Sequence, residues 1–252
     1  MFKLNNKHAI VTGANKGIGL AITKKYLEEG YNVFFCNRKN QSDFDKLFEN
    51  NILDKKYKNN VINVFFDLGN RETITKAADK IKEYKVKIDV LVNNAGSIDT
   101  RLFLMSKIDQ IEDFFSENLF SNLIFTQQIA KIFVKQKEGS IVNISSTAGI
   151  DGTEGRLAYS TVKSSINMVT KILSKELSYF NIRVNAVAPG LTDTDLMKDS
   201  HKKEIIEETV KRQSIKKIAS TSDIAELVYY LSSKNSSHIT GQVFRIDGGM
   251  SV

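Results

Sequence analysis

A tyrosine and a lysine four residues apart are the side chains in this sequence best suited to acid–base chemistry. Tyr159 and Lys163 stand at the start of a segment with helical periodicity, where this spacing puts both on one helix face. An ammonium about 4 Å from a phenol, at an effective dielectric near 20, stabilises the phenolate by about 4 kcal/mol. That energy is enough to bring the pKa of Tyr159 from about 10 toward 7. The pair can then exchange a proton with a bound oxygen atom near neutral pH.

The upstream sequence distinguishes this pair from a second pair with the same spacing, Tyr230 and Lys234. The apolar segment SIVNI is followed by two serines, and the second, Ser146, lies 13 residues before Tyr159. A serine at the end of a strand can donate a hydrogen bond to a substrate carbonyl oxygen. The residue 13 positions before Tyr230 is Lys217, which has no hydroxyl group. We therefore interpret the second pair as surface residues at a helix end.

Three glycines in the stretch TGANKGIG, residues 12–19, indicate a tight connection between a strand and a helix. Gly13 follows an apolar segment, and Gly17 and Gly19 open the first helical pattern. The N-terminus of such a helix offers free N–H groups and a positive dipole end to an anion. The spacing is neither the common G-x-G-x-x-G fingerprint nor a Walker A loop. Two interpretations remain open: a phosphate-binding loop, or a tight turn without a ligand.

These residues must be positioned by an alternating series of strands and helices. In the apolar segments, polar and apolar residues do not alternate. Continuously apolar segments are typical of parallel strands that helices bury on both faces. We predict an α/β fold with one doubly wound sheet and a single domain over residues 1–252, because no repeat or linker interrupts the pattern. The predicted strands are Ala9–Val11, Asn32–Cys36, Val61–Phe66, Val90–Val92, Ser140–Ile144, Arg183–Val187 and Val243–Ile246. The predicted helices are Ile18–Glu29, Arg71–Tyr84, Gln110–Lys135, Tyr159–Ser178 and Asp223–Ser233, with a surface loop or helix end at Asn50–Asn60.

Composition excludes several classes of protein. A single cysteine, Cys36, rules out an internal disulfide framework and favours the reducing cytoplasm. The histidines (His8, His201 and His238) are far apart, so we expect no metal site. The first apolar segment begins too early for a secretory signal, and no segment approaches the roughly 18 apolar residues of a membrane span. The net charge of +7 is explained by solvated lysines or by an acidic partner, and charge alone does not separate the two.

Motifs along the whole chain resemble those of the short-chain dehydrogenase/reductase superfamily, in its classical branch. They occur in the order typical of that family, and together they are specific although each is weak. The matching motifs are TGANKGIG at 12–19, Asp67-Leu68, NNAG at 93–96, Asn118, Ser146, Tyr159 with Lys163, Pro189-Gly190 and the terminal IDGG.

The resemblance implies a Rossmann-type sheet of seven parallel strands, a nicotinamide cofactor and a catalytic group of four residues. Tyr159 would be the acid/base and Ser146 would hold the substrate oxygen. Lys163 would bind the nicotinamide ribose and lower the pKa of the tyrosine. Asn118 would support a water that relays protons to the lysine; Asn122 is an alternative by residue type, but the spacing from NNAG favours Asn118.

The resemblance also implies which residues would contact the cofactor. Packing at the sheet edge is the alternative explanation for any one of them, and we assign the neighbouring Asn93 to structure. The predicted contacts are Gly13, Asn15, Gly17 and Ile18 to the pyrophosphate, Asp67 to adenine, Asn94 and Ala95 along the adenosine ribose, and Pro189, Gly190 and Thr192 to the nicotinamide amide, with Leu68, Gly96, Thr194, Tyr159 and Lys163 completing the site.

The end of the second predicted strand favours NADP(H) as the cofactor. NAD enzymes usually place a carboxylate there to accept hydrogen bonds from the ribose hydroxyls, but this chain has the neutral Asn37. Arg38 follows it and can form charge-assisted bonds to a 2′-phosphate. Lys16, inside the glycine loop, adds a second positive charge. The alternative is that Arg38 and Lys16 are solvated surface residues.

Within this family the layout is most similar to 3-oxoacyl-(acyl-carrier-protein) reductases of fatty acid biosynthesis. Lys135, Lys137 and Lys175 lie where those reductases carry basic residues for an acidic carrier, so an acyl carrier protein is a candidate partner. The sequence departs from their pattern at residues 97–101 and just before Tyr159. A reductase of a sugar, polyol or other biosynthetic ketone is the alternative enzyme.

A dinucleotide-binding sensor is the non-enzymatic alternative. The complete set of candidate catalytic residues argues against it, because a pure binding protein does not need the serine and the tyrosine. The resemblance further implies a homotetramer, with the helices over Gln110–Lys135 and Tyr159–Ser178 packed against their copies. We expect no nucleic-acid or membrane partner.

Overall fold

Seven parallel strands form one sheet in the order β3-β2-β1-β4-β5-β6-β7. The computed structural model describes residues 7–200 and 203–250. Residues 1–6, which precede the first strand, lie outside the described part. The strands are β1 His8–Thr12, β2 Asn32–Asn37, β3 Val61–Phe65, β4 Val90–Asn93, β5 Gly139–Ile144, β6 Ile182–Pro189 and β7 Val243–Ile246. All seven predicted strands are therefore present, with ends displaced by at most two residues.

Helices connect the strands in chain order. They are α1 Gly17–Glu28, α2 Gln41–Glu49, α3 Arg71–Glu83, α4 Ile108–Phe115, α5 Ser121–Gln136, α6 Ala148–Asp151, α7 Leu157–Glu176, α8 Asp195–Ser200, α9 Lys203–Arg212 and α10 Thr221–Ser232. Among the described residues, none of these helices has the length and apolar character that crossing a bilayer requires.

The sheet divides the core into two layers, and successive strand residues alternate between them. Val33 and Phe35 of β2 pack in one layer, with the buried side chains of α1, α2 and α10. Phe34 of the same strand packs in the other layer, with side chains of α3 and α5. Both faces of the central strands are thus covered, which explains their continuously apolar sequences. The domain is doubly wound, as predicted.

The structure differs from the predicted elements in three respects. The helices α2, α6, α8 and α9 were not predicted, because they are short and, in α2, only Phe44, Leu47 and Phe48 form a buried stripe. The predicted loop over residues 50–60 contains a 3₁₀ helix, Lys55–Asn60. The single helix predicted over Gln110–Lys135 is α4 and α5 joined by a π-helical segment, Ser116–Phe120. Such segments occur frequently at functional sites.

The strand order places a crossover between β3 and β4, so the connections after β1 and β4 leave the sheet in opposite directions. In open α/β sheets, ligands bind at this point, outside the carboxyl ends of the strands. The loops after β1, β4, β5 and β6 are therefore the ones expected to form a site.

Candidate active site

The loop between β1 and α1 has the geometry of an anion-binding turn. Gly13 and Gly17 adopt φ values of +64° and +52°, which favour glycine. A Cβ atom at Gly13 would lie 2.9 Å from the Cα of Ala95, so a larger residue would push the loop away from β4. The N-cap residue of α1, Lys16, makes no side-chain cap hydrogen bond. The first turn of α1 can therefore direct its N–H groups to a phosphate, and the loop fits a dinucleotide pyrophosphate.

Hydrogen bonds fix this loop to the end of β4. The Thr12 hydroxyl accepts hydrogen bonds of 2.9 Å from the backbone N–H groups of both Asn94 and Ala95. The side-chain amide of Asn94 donates to the carbonyl oxygens of Thr12 and Gly13, at 2.9 and 3.2 Å. The amide nitrogen of Asn94 is therefore used in hydrogen bonds within the protein. These bonds hold the ends of β1 and β4 together at the crossover.

One cavity of about 1060 Å³ opens at the carboxyl edge of the sheet. Its volume is at the upper end of the range for ligand pockets, which suits a dinucleotide together with a substrate. Every predicted site residue lines it, from the glycine loop to the loop after β6; their individual roles stay predictions. The lining includes Gly13, Asn15, Lys16, Gly17, Ile18, Asn37, Arg38, Asp67, Leu68, Asn94, Ala95, Gly96, Asn118, Ser146, Tyr159, Lys163, Pro189, Gly190, Thr192 and Thr194.

Three of the four candidate catalytic side chains converge from the end of β5 and from α7. Tyr159 and Lys163 lie one turn apart on α7, and both are buried. The Lys163 Nζ atom lies 5.7 Å from the centre of the Tyr159 ring and donates a hydrogen bond of 2.8 Å to the carbonyl oxygen of Ile144. Ser146 follows β5, and its hydroxyl oxygen accepts from the backbone N–H of Ala148 at 3.2 Å.

Burial controls the protonation of this group. Desolvation raises the pKa of Tyr159 above its ordinary value, while the hydrogen bond with Ser146 and the charge of Arg156 act in the opposite direction. Desolvation also lowers the pKa of Lys163 to about 8. The prediction that the lysine brings the tyrosine pKa toward 7 is wrong for this structure. The pKa of Tyr159 rises instead, because burial disfavours the phenolate more strongly than the neighbouring groups favour it.

The π-helical segment presents Asn118 to the cavity. The Asn118 side-chain oxygen accepts from the backbone N–H of Ser97 at 2.8 Å, and its amide donates to the carbonyl of Phe114 at 3.0 Å. Asn122, the alternative by residue type, lies behind it and donates to the Asn118 carbonyl at 2.9 Å. Asn122 does not line the cavity. The geometry therefore favours Asn118.

Asn93 has the structural role predicted for it. Its side-chain amide donates to the hydroxyl of Thr126 at 2.8 Å and to the side-chain oxygen of Asn143 at 2.9 Å. These contacts join β4 to α5 and to β5.

The end of the cavity at β2, where the adenosine half of the cofactor is predicted, carries two exposed cations. Arg38 and Lys16 both line the cavity and are solvent-exposed. Asn37, the last residue of β2, is buried, and its amide donates to the side-chain oxygen of Asn63 at 2.7 Å. Its own oxygen accepts from the backbone N–H of Lys39 at 2.7 Å. The asparagine shapes the turn, and the cations face the cavity.

A buried arginine in the cavity was not predicted from the sequence. The Arg156 side chain is 8% exposed, and its guanidinium carbon lies 5.9 Å from the centre of the Tyr159 ring. It also donates a hydrogen bond of 3.3 Å to the carbonyl of Ser200. Arg156 is the N-cap residue of α7, and an arginine at a helix start is usually exposed, so no local sequence signal identifies it.

A cluster of ion pairs joins two loops of the cavity and was also missed. Arg245 of β7 donates to both oxygens of Asp151, at 2.8 and 2.7 Å, and to Asp247 at 2.8 and 2.9 Å. Asp151 ends α6 in the loop after β5, and Asp247 belongs to the IDGG motif beside Gly190. The arginine therefore connects the loop after β5 to the turn after β7, which packs against Gly190.

Other candidate residues lie away from the cavity. Tyr230 and Lys234 sit at the end of α10 and do not line it, as expected of a surface pair. Lys135, Lys137 and Lys175 are exposed at the carboxyl ends of α5 and α7, at the opposite edge of the sheet. In the described ranges, no group of three His, Cys, Asp or Glu side chains could hold a metal ion. His201 lies outside those ranges.

Comparison with known proteins identifies the family. A family model described as enoyl-(acyl carrier protein) reductase matches residues 13–251. The 3-oxoacyl-(acyl-carrier-protein) reductase of Aquifex aeolicus is 36% identical over 249 residues, which cover 98% of each chain. The chain belongs to the short-chain dehydrogenase/reductase superfamily. It is therefore an oxidoreductase that acts on CH–OH or C=O groups with a nicotinamide dinucleotide.

Two further similarities support this membership. The enzyme of the same name from Thermotoga maritima is 34% identical over 248 residues, covering 98% of this chain and 99% of that one. A crystal structure of a putative gluconate dehydrogenase from Agrobacterium tumefaciens superimposes with a TM-score of 0.90 at 25% identity, covering 99% of this chain and 98% of that one. The seven-stranded parallel sheet is thus the fold of this superfamily.

Proposed function

We propose that this protein uses NADPH to reduce the 3-oxo group of an acyl thioester on acyl carrier protein, a step of fatty acid biosynthesis. The observation that carries the proposal is the convergence of Ser146, Tyr159 and Lys163 on one cavity with the glycine loop. The identity to two bacterial reductases of that name, over almost the whole chain, supports the choice of substrate.

The residues divide the chemistry among them. The Ser146 hydroxyl donates a hydrogen bond to the substrate carbonyl oxygen, and the Tyr159 phenol gives that oxygen its proton. A nicotinamide cofactor, when bound, would supply the hydride. Lys163 would hold its ribose, and with Asn118 it would return a proton to the tyrosine. The raised pKa of Tyr159 suits reduction, because the phenol is protonated and ready to donate at neutral pH.

A second candidate function is the reduction of another ketone, such as a sugar or a polyol-derived carbonyl. The observation that favours it is the position of Lys135, Lys137 and Lys175, at the edge of the sheet opposite the cavity. If these lysines bind a carrier, the carrier is not beside the cavity of the same chain. The segment with Asp99 and Arg101, joined by an ion pair of 2.6 Å, also departs from the sequence typical of the reductases.

A panel of carbonyl compounds tests the proposal by NADPH absorbance. Acetoacetyl thioesters of coenzyme A and of acyl carrier protein are compared with sugar ketones, and Tyr159→Phe is the background control. We expect the thioesters to be reduced with the highest kcat/KM. Turnover of a sugar ketone without turnover of either thioester would contradict the proposal in favour of the second candidate.

A further inference from the structure

The π-helical segment that presents Asn118 is held by side-chain amides on both sides. The backbone N–H of Ser121 donates to the carbonyl of Ser116, five residues earlier, which is the register of a π-helix. The Asn118 amide donates to the carbonyl of Phe114 at 3.0 Å, and the Asn122 amide donates to the carbonyl of Asn118 at 2.9 Å. A side chain that bonds to a carbonyl four residues earlier competes with the backbone and bends the helix. The two asparagines therefore fix the place where the helix changes register.

Asn122 also joins this segment to the end of β4. Its amide nitrogen donates to the carbonyl oxygen of Ala95, two residues after the strand, at 3.4 Å. Both partners of this nitrogen are carbonyl oxygens, which fixes the orientation of the amide, because only its nitrogen can donate. The Asn122 side-chain oxygen has no hydrogen-bond partner among the described protein groups. The residue is buried outside the large cavity, and it acts through its nitrogen.

The Asn118 side chain is the part of this segment that meets the candidate catalytic group. Its oxygen accepts from the backbone N–H of Ser97 at 2.8 Å. A Cβ atom at Gly96 would lie 3.3 Å from that oxygen and 3.9 Å from the Nζ atom of Lys163, so the amide and the ammonium flank the same glycine. A displacement of about 1 Å can cost a large factor in rate, so the register of this helix turn matters to the chemistry.

We propose that Asn122 is a positioning residue, which binds the carbonyl of Asn118 and thereby keeps the Asn118 side chain beside Lys163 for the return of a proton to Tyr159. The proposal rests on the proposed function for the reaction, and it adds a residue that touches neither substrate nor cofactor. Because Asn122 acts on proton return and makes no ligand contact, its loss should lower kcat and leave the substrate KM and the NADPH affinity nearly unchanged.

A pair of variants of similar shape tests the hydrogen bond to the Asn118 carbonyl. In a helix, a threonine hydroxyl can donate to the carbonyl four residues earlier, as Thr170 does to Ile166 at 2.8 Å. Asn122→Thr therefore keeps a donor at this position, whereas Asn122→Val has the same shape and no donor. We expect Asn122→Val to lower kcat about 5- to 10-fold, as for the loss of one hydrogen bond, with KM and NADPH affinity within about twofold of the wild type. Asn122→Thr should recover most of kcat.

Two further measurements separate positioning from a loss of packing. The ratio of kcat in H₂O to kcat in D₂O should rise in Asn122→Val and return to the wild-type value in Asn122→Thr, because the slowed step is a proton transfer. Hydrogen exchange of the Ser97 backbone N–H, followed by NMR, should be about fivefold faster in Asn122→Val alone, since the Asn118 oxygen that protects this N–H is then held less firmly.

Thr126→Val is the matched control on α5. It removes a buried hydroxyl that accepts a hydrogen bond of 2.8 Å from Asn93, and it leaves the π-helical segment untouched. It should lower Tm without changing kcat, the isotope ratio or the exchange of Ser97. Equal kcat values in Asn122→Val and Asn122→Thr would overturn the proposal. A lower kcat in Asn122→Val with an unchanged isotope ratio and unchanged Ser97 exchange would also overturn it and assign Asn122 to structure alone.

Thermal unfolding establishes that the variants fold. If Asn122→Val does not fold, the comparison of Asn122→Ser, which keeps a hydroxyl donor, with Asn122→Ala decides by the same three measurements.

Failure of the proposed function gives a different result. If the wild type reduces another ketone but no thioester, the 3-oxoacyl thioester assignment is wrong, and the same variants are compared with that ketone. If it reduces no carbonyl compound, the proposed function fails, and the exchange of Ser97 still decides whether Asn122 holds Asn118 in place. Unchanged exchange in Asn122→Val would then overturn this proposal as well.

Discussion

The ammonium of Lys163 donates a hydrogen bond of 2.8 Å to the main-chain carbonyl of Ile144, the last residue of β5. This bond ties α7 to the strand that leads into Ser146, so the tyrosine and the serine keep a fixed relation. Desolvation of the ammonium brings the pKa of Lys163 from 10.5 to about 8, a difference of about 3 kcal/mol in favour of the neutral form. The predicted catalytic lysine is thus held at a cost in stability.

Replacing Lys163 by methionine should therefore stabilise the protein at pH 7 while removing its activity. We expect the free energy of unfolding to rise by about 2 kcal/mol, because the desolvation cost disappears and one hydrogen bond of about 1 kcal/mol is lost. Denaturant unfolding with and without NADPH measures this stability and the weakened cofactor binding.

The stability difference between Lys163→Met and the wild type should decrease as the pH rises. Above pH 8 the folded protein loses the Lys163 proton while the unfolded chain keeps it up to about pH 10.5, so wild-type stability rises with pH in that interval. The advantage of Lys163→Met should shrink between pH 7 and pH 10. A difference that stays constant over this range would contradict a buried, charged lysine, and Lys234→Met is the exposed control.

Removing the phenol of Tyr159 should abolish turnover and spare cofactor binding. Tyr159→Phe keeps the ring that packs beside Arg156 but removes the proton donor, and general acid–base groups commonly contribute a hundredfold to ten-thousandfold in rate. The measurement is kcat with the best ketone substrate, alongside NADPH fluorescence. Tyr230→Phe has the same chemical change at the second pair and should alter neither. A Tyr159→Phe variant that retains more than a tenth of kcat would exclude the tyrosine as the acid.

The parts of the fold that the sequence could predict are those decided by local patterns. Val33, Phe34 and Phe35 are consecutive apolar residues, which is typical of a strand buried on both faces, and β2 lies there. Gly13 and Gly17 need positive φ, so their spacing located the turn at the sheet crossover. Each of these signals lies within a few residues along the chain.

The rest depends on tertiary contacts that no local pattern reveals. The spacing of Tyr159 and Lys163 placed them on one face of a helix, but it gave neither their burial nor the partner of the ammonium. The predicted direction of the shift in the Tyr159 pKa was therefore wrong. Arg156 was missed for the same reason, since an arginine at a helix start is usually exposed. The π-helical turn around Asn118 has no sequence signature in a segment that reads as one continuous helix.

The homotetramer stays a prediction, and exposed apolar residues on α7 provide a way to test it. Met168 and Ile172 lie one turn apart, with 56% and 45% of their surfaces exposed. If α7 packs against a copy of itself, Met168→Lys with Ile172→Lys should reduce the mass measured by light scattering to that of a smaller assembly. Ile52→Lys, at a residue exposed by 38% outside these helices, is the control. A wild-type monomer would contradict the expected assembly.

The preference for NADPH over NADH is the prediction that tests the adenosine end of the cavity. Arg38 and Lys16 are exposed cations on its lining, and each lost charge-assisted bond to a 2′-phosphate should cost about 1.5–3 kcal/mol. We expect Arg38→Ala to lower kcat/KM with NADPH about tenfold or more and to leave NADH nearly unchanged. Lys39→Ala is the matched control, because Lys39 is the adjacent cation and does not line the cavity.

A carboxylate at the end of β2 is needed to reverse this preference. The hydrogen bonds of Asn37 indicate how much stability this replacement costs. Asn37→Asp removes the donor to the Asn63 oxygen at 2.7 Å and faces that oxygen with a negative charge. The Asn63 amide can turn to donate instead, since its bond to Gln41 is a long 3.5 Å. We expect Asn37→Asp with Arg38→Ala to prefer NADH and to lose about 1–3 kcal/mol of stability, because the Phe35 carbonyl also loses its donor and the new carboxylate is buried. Equal kcat/KM of the wild type with NADPH and NADH would contradict this prediction. It would indicate that Arg38 and Lys16 are solvated surface residues.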